Sequence, residues 1–246
     1  MKNDIFNEIH KGLHNEGVGR DRYTKKAFHM IPPIKEPEIL DIGCGPGLQT
    51  ILLAKLSYGN VIGLDINQPH LDELDFRAKE ANLSNRIKTI NCSMHDMKYP
   101  PETFDIIWSE GSIFFIGFEN GLRKWRRLIK PNGFLVVHDM VWISNNPPGE
   151  IKGYWEKLYP KIKTIQSCLD LIPRCKYKIF GHFPLPIDAW WKSYYKPLEN
   201  RVNNLMKKYK HDPNSLAEIN KVKREIELYK KYKKWFGSAF FIMQKK

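Results

Sequence analysis

The chain has 246 residues, 42% of them hydrophobic, 13% aromatic and 27% charged. That is enough apolar material for one substantial core, and it excludes a disordered chain. No apolar run approaches the ~18 residues that span a bilayer, so membrane insertion is not expected. Met1 to Phe6 lacks the apolar stretch of a secretory leader. Four cysteines (Cys44, Cys92, Cys168, Cys175) make no disulfide framework and no Cys-x-x-Cys zinc pair. The expectation is a cytoplasmic protein with no metal. The net charge of +13 is uneven: residues 1–150 hold 18 basic and 19 acidic side chains, residues 151–246 hold 22 and 8. In that second part Lys outnumbers Arg 19 to 3. Bidentate readers of phosphate and bases are usually Arg, so solvated helix faces explain the excess better than nucleic acid does.

In chain order, residues 1–36 are polar and mixed. Glu16 to Tyr23 reads as a glycine-hinged loop and Tyr23 to Met30 as a short helix, stopped by Pro32-Pro33. Glu38 to Gly43 is a short apolar run before a glycine cluster, the mark of a buried strand. Leu48 to Leu56 has apolar residues at helical spacing. Val61 to Asp65 is a second strand, Pro69 to Ala81 a helix, Ile87 to Cys92 a third strand and Phe104 to Trp108 a fourth. Gly121 to Ile129 reads as a helix, Lys130-Pro131-Asn132-Gly133 as its exit turn, and Phe134 to His138 as a fifth strand. Alternation at this pitch gives an α/β fold with a mostly parallel sheet and helices on both faces.

Beyond Ile143 the pattern changes. Ile151 to Tyr159 and Lys163 to Leu171 look helical, and Tyr177 to Phe183 is a strand. Asp188 to Tyr209 and Ser215 to Trp235 are long basic amphipathic helices, turned by His211 to Asn214, and Ser238 to Met243 closes the chain as a strand. The organisation expected is one domain over 1–246. It has an N-terminal helical segment (1–36), a ligand-binding core (37–143), a helical segment (144–176) and a helical insertion (188–235). That insertion acts as a lid or as a homodimer face.

Chemistry concentrates in Ile39-Leu40-Asp41-Ile42-Gly43-Cys44-Gly45-Pro46-Gly47. A strand ends, three glycines follow at alternate positions, and a helix begins. Glycine takes positive φ and lets backbone approach a ligand, and a strand's carboxyl end beside a helix N-terminus is a ligand crevice. Asp65 ends the next strand, 18 residues past Gly47, where a carboxylate accepts both ribose hydroxyls of an adenosine. A dinucleotide prefers Gly-x-Gly-x-x-Gly; the spacing here is Gly-x-Gly-x-Gly, preceded by Asp41.

This stretch resembles motif I of the class I S-adenosylmethionine-dependent methyltransferases. The layout over residues 38–140 is similar to their ubiquinone/menaquinone-biosynthesis-type small-molecule members. Phe104 to Glu110 looks like motif IV, and Leu128 to Leu135 like the turn before strand five. The resemblance implies a Rossmann-like, seven-stranded methyltransferase fold with a helical insertion before the last strand. It also implies S-adenosylmethionine as cofactor and in-line methyl transfer to a small molecule. The cofactor residues it implies are Asp41, Gly43, Cys44, Gly45, Gly47, Asp65, Ile66, Ser93, Met94 and Glu110, with Ser93 and Met94 at the adenine positions.

Strand-end groups are the catalytic candidates: Glu110 after strand four, and His138 and Asp139 ending strand five. Of the last two, Asp139 is expected to face the crevice and His138 to pack under a helix. Trp142, Tyr154 and His182 are candidates for the acceptor wall. Cys44 reads as packing rather than as a nucleophile. Ser109-Glu110-Gly111-Ser112 differs from the Asn/Asp-Pro-Pro-aromatic string of base-amine methyltransferases, and no cysteine follows strand four or five to attack a pyrimidine. The competing readings are an RNA or protein methyltransferase using the basic C-terminal helices, and a non-enzymatic or nucleotide-binding relative.

Overall fold

The computed structural model describes residues 5, 8, 9 and 21–246. The expected loop from Glu16 lies outside the described residues up to Arg20. Its last three residues already belong to helix α1 (Asp21–His29).

The sheet is built from β1 (Glu38–Ile42), β2 (Asn60–Asp65), β3 (Ile87–Asn91), β4 (Phe104–Glu110), β5 (Ile129–Trp142), β6 (Lys163–Thr164), β7 (Tyr177–Pro184) and β8 (Phe236–Lys245). Its order is β3-β2-β1-β4-β5-β8-β7, with the two-residue β6 beside the end of β5. Strands β3 to β5 run parallel, and β8 is antiparallel to both β5 and β7. This is the expected mostly parallel, Rossmann-like sheet, with the last strand inserted between its fifth and seventh neighbours. Helices α2 (Leu48–Ser57), α3 (Gln68–Glu80) and α4 (Phe118–Trp125) connect the parallel strands. α5 (Gly149–Leu158) and α6 (Ile165–Arg174) follow β5.

Successive residues of β5 feed opposite layers, since side chains alternate along a strand. Phe134, Val136 and Trp142 join the layer under α1, α2 and α3, while Leu135, Val137 and Val141 join the layer under α4 and α6. Both faces are apolar because both are covered, as parallel sheets require.

The Lys130–Gly133 segment departs from the expected turn. β5 runs from Ile129 without a break, and a register shift opposite Phe104 and Ile106 takes up the extra residues as a bulge. Asn132 has φ +62°, a conformation asparagine tolerates. The preceding helix correspondingly ends early, at Trp125.

The insertion is a helical hairpin. α7 (Ile187–Trp190) passes through one wide π turn, Trp191–Tyr195, into α8 (Lys196–Lys208), and α9 (Pro213–Tyr232) returns. Asp212 caps α9, accepting hydrogen bonds from the Asn214 and Ser215 amides. The hairpin buries Leu198, Val202, Leu205, Ile219, Ile226 and Tyr229 in the layer that also holds α1. Its half-buried Glu225 accepts from the Tyr195 hydroxyl at 3.0 Å. It also ties down the N-terminal segment, where Glu8 accepts from Lys208 Nζ and Tyr209 Oη at 2.6 Å each. No helix among the described residues is long and apolar enough to cross a membrane.

Candidate functional site

The loop after β1 is fixed by backbone bonds to the end of β2. The Gly43 and Cys44 amides both donate to the Leu64 carbonyl, at 2.7 and 3.1 Å. Gly43, Gly45 and Gly47 have φ of +71°, +52° and +82°, so all three sit where an L side chain is strained. Their surroundings differ. A Cβ on Gly43 would stand 2.4 Å from Ser112 Cβ, and one on Gly47 2.1 Å from Leu74 Cδ1. A Cβ on Gly45 would meet nothing within 4 Å. Gly43 and Gly47 are therefore packing glycines, and Gly45 faces open space.

That space is a cavity of about 620 Å³. It runs along the carboxyl ends of β2, β1, β4 and β5, past Asp65, Gly45, Glu110 and His138. At its β2 end the Asp65 carboxylate accepts from the Gly45 amide through Oδ2 and from the Asn67 amide through Oδ1, each at 2.9 Å. A carboxylate has about four acceptor sites, so each oxygen keeps one lone pair for a ligand.

At the other end Glu110 closes β4. Its Oε1 accepts from Thr24 of α1 and from the Trp108 indole N–H, each at 2.8 Å, while its Oε2 is buried without a partner among the described residues. Burial pushes the Glu110 carboxyl up to about 8, against the lowering effect of those two hydrogen bonds. His138, its register partner on β5, is 4% exposed, and its Nε2 is also buried without a partner among those residues. Burial lowers this imidazole to about 4. Both residues line the inner end of the cavity, while these two polar atoms are themselves buried.

A model of the methyltransferase-domain family matches residues 39–133. That match covers 95 of the 246 residues, less than half of the chain. The 27-O-demethylrifamycin SV methyltransferase of Amycolatopsis mediterranei is 26% identical over 125 residues, covering 50% of this chain and 46% of its own length. The sterol 24-C-methyltransferase of Kluyveromyces lactis is 24% identical, over 67% of this chain and 47% of its own. The chain thus spans about half the length of these relatives. Among solved structures, a Geobacter sulfurreducens S-adenosylmethionine-dependent methyltransferase in complex with S-adenosylhomocysteine superposes with a TM-score of 0.83. It is 14% identical, over 99% of this chain and 98% of that one. The [4+2]-cyclase SpnF superposes at 0.79 with 18% identity, over 99% and 92%. The likeness therefore shows the fold.

Of the positions expected from the sequence, Gly43, Cys44, Gly45, Asp65, Ile66, Ser93, Met94, Glu110 and His138 line the cavity. Asp41 and Gly47 do not. Asp41 lies beneath the loop, 2% exposed, where it accepts from Thr50 Oγ1 at 2.7 Å. It anchors the first turn of α2, and burial pushes its carboxyl up to about 7. Cys44 packs on Gly63, where an added Cβ would meet its sulfur at 3.1 Å. Burial raises its thiol far above the range of a nucleophile.

The assignment within β5 is reversed. His138 faces the cavity, while Asp139 points to the other face and accepts from Tyr159 Oη at 2.7 Å and from the Met140 amide. Trp142, Tyr154 and His182 are not brought to the cavity. Trp142 is core beside Phe236, Tyr154 donates to Glu225 under the hairpin, and His182 is exposed on β7. Phe114 and Phe115 line the cavity instead, their ring centroids 4.0 Å apart. Two adjacent aromatics in the turn right after a strand-end acid were the signal for them. Phe115 is 69% exposed where it borders the cavity.

The position of Asp139 has a measurable consequence. Burial pushes its carboxyl up to about 7. The native state then holds a proton that the unfolded chain releases in the ordinary carboxylate range, so this contribution to stability is full below that range and lost as pH rises through about 7. Each such group gives a slope of up to about 1.4 kcal/mol per pH unit. Asp139→Asn is expected to make the fall in thermal midpoint between about pH 4 and pH 7 shallower than in the wild type. An unchanged slope in thermal unfolding would show that Asp139 ionises normally.

Proposed function

We propose that the chain binds S-adenosylmethionine in this cavity and directs its methyl group to a small-molecule acceptor. The observation that carries the reading is the Gly45–Asp65 end of the crevice. Backbone there leaves room only a missing side chain can leave, beside a carboxylate with two lone pairs to spare. Gly45 would lie against the cofactor's methionine and ribose parts, Asp65 would accept its ribose hydroxyls, and Ser93 and Met94 would line the adenine. Ile66 would cover the outer face. When bound, the sulfonium supplies an electrophilic methyl group, and the protein's work is alignment and exclusion of water.

The acceptor would enter at the Glu110, His138 and Phe114 end. Small-molecule acceptors, a demethylrifamycin and a sterol, are what the relatives' names describe. The cavity's lining holds no Lys or Arg among the described residues, which supports an acceptor other than a polyanion. The basic hairpin is also partly committed: Lys230 bonds Glu199, and Lys231 donates to Glu150 at 2.7 Å.

Titration calorimetry with S-adenosylmethionine and S-adenosylhomocysteine tests the reading. Both are expected to bind with one site per chain at micromolar or tighter affinity, a free energy of about −8 kcal/mol. Binding of NAD in their place would overturn it.

A further inference from the structure

Strands β1 and β4 pair only as far as Asp41 opposite Trp108. Past that point the ladder stops, and the two segments that border the cavity begin: the glycine loop after β1 and the turn after β4. A side chain takes over where the ladder leaves off. Ser112 Oγ donates to the Ile42 carbonyl at 2.6 Å. That bond uses the only proton of the hydroxyl, so Ser109 Oγ, 2.7 Å away, donates to Ser112 in its turn. Ser109 is fully buried and Ser112 is 5% exposed.

The two segments are shaped for this contact. A Cβ on Gly43 would stand 2.6 Å from Ser112 Oγ, so glycine is what lets the serine reach the end of β1. On its other side the turn is held by the Gly111 amide, which donates to the His138 carbonyl at 3.0 Å. Beyond Ser112 the chain makes one tight helical turn, Ile113–Phe115. The Phe115 amide closes it on the Ser112 carbonyl, and the Ile116 and Gly117 amides close it on the Ile113 carbonyl. Ile113 and Ile116 are buried, while Phe114 and Phe115 line the cavity. One hydroxyl thus joins the loop at the Gly45 end of the cavity to the turn that carries its aromatic wall.

We propose that Ser112 is a positioning residue that couples the two ends of the site. Cofactor bound against the glycine loop orders that loop. The Ser112–Ile42 bond passes the order to the turn, so the acceptor meets an aromatic wall already set. A ligand that orders one segment lowers the cost of ordering another bonded to it, with no new contact between the two ligands. This rests on the reading of the cavity as a methyltransferase site.

Hydrogen exchange read by mass spectrometry on the full chain tests it, with and without S-adenosylhomocysteine at a concentration that saturates each variant. The Phe115, Ile116 and Gly117 amides are bonded inside the turn and report its opening. In the wild type the ligand is expected to slow exchange over 42–47 and, by at least about fivefold, over 113–117. In Ser112→Ala the slowing over 42–47 is expected to persist and that over 113–117 to disappear. Ser109→Ala empties a neighbouring buried site but leaves the Ser112–Ile42 bond, and is expected to respond as the wild type does. Ser112→Cys serves should Ser112→Ala not fold. Its thiol is a weaker donor, and its response is expected to fall below that of the wild type. No slowing over 113–117 in the wild type would overturn the proposal. So would full slowing in Ser112→Ala, because the ligand would then act on the turn directly. Equal loss in Ser109→Ala would also overturn it, since general loosening of the buried pair would explain both. A wild type that does not bind S-adenosylhomocysteine would sink the methyltransferase reading instead. The ligand-free rates would then decide whether the tie exists: Ser112→Ala, and not Ser109→Ala, is expected to speed exchange in both segments.

Discussion

Gly45→Val is expected to lower affinity for S-adenosylhomocysteine at least about 100-fold, or about 2.7 kcal/mol, while the protein stays folded. The residue stands at φ +52°, and nothing lies within 4 Å of where its Cβ would be. A valine there fills the cavity and strains only its own backbone, by roughly 1–3 kcal/mol. Gly47→Val, two residues on, should do the opposite. Its Cβ would overlap Leu74, which is fully buried and cannot step aside. Overpacking adds about 1–3 kcal/mol to the same backbone strain, so the thermal midpoint should drop well below that of Gly45→Val. Calorimetry and thermal unfolding on the two variants separate a ligand-facing glycine from a packing glycine. Equal affinity in Gly45→Val and wild type would remove the basis for placing a cofactor against this loop.

Asp65→Ala should weaken S-adenosylhomocysteine by about 1–3 kcal/mol, which is about 5- to 150-fold, through loss of charge-assisted hydrogen bonds. Part of that loss belongs to the loop, because the carboxylate also holds the Gly45 amide at 2.9 Å. Asp65→Asn divides the two contributions. It retains one oxygen for a backbone amide but turns the other acceptor into a donor. Its affinity should fall between those of wild type and Asp65→Ala, with stability closer to wild type. A 2′,3′-dideoxy analogue of the cofactor should lose only the loop's share of the affinity, and so less than the natural compound does. If it loses as much affinity as the natural compound, Asp65 acts only on the loop.

The sequence alone determined the sheet class, the order of alternating elements as far as β5, and the loop with its acid. These features are local. Three glycines between a strand and a helix, and a carboxylate at the next strand's end, have their geometry dictated within a few residues of backbone. The long basic helices were legible from their apolar spacing, which is local, although the first is divided by the Trp191–Tyr195 turn and the second begins at Pro213, two residues before the expected Ser215. What the tertiary structure decided was which side chains share a face. Along β5 both faces are buried, so Phe134 to Val141 carries no polar–apolar alternation to tell which parity points at the crevice. His138 and Asp139 were exchanged on that account, and a one-residue change of parity moves every side chain to the other face. Trp142 and Tyr154 are aromatics near the site in sequence, but their partners, Phe236 and Glu225, come from about 70 to 95 residues later in the chain. The pairing of β8 between β5 and β7, and the reach of α1 to Glu110 across 86 positions, bring together groups that no local pattern links. The inner end of the cavity, beside Glu110 and His138, is built by those distant segments.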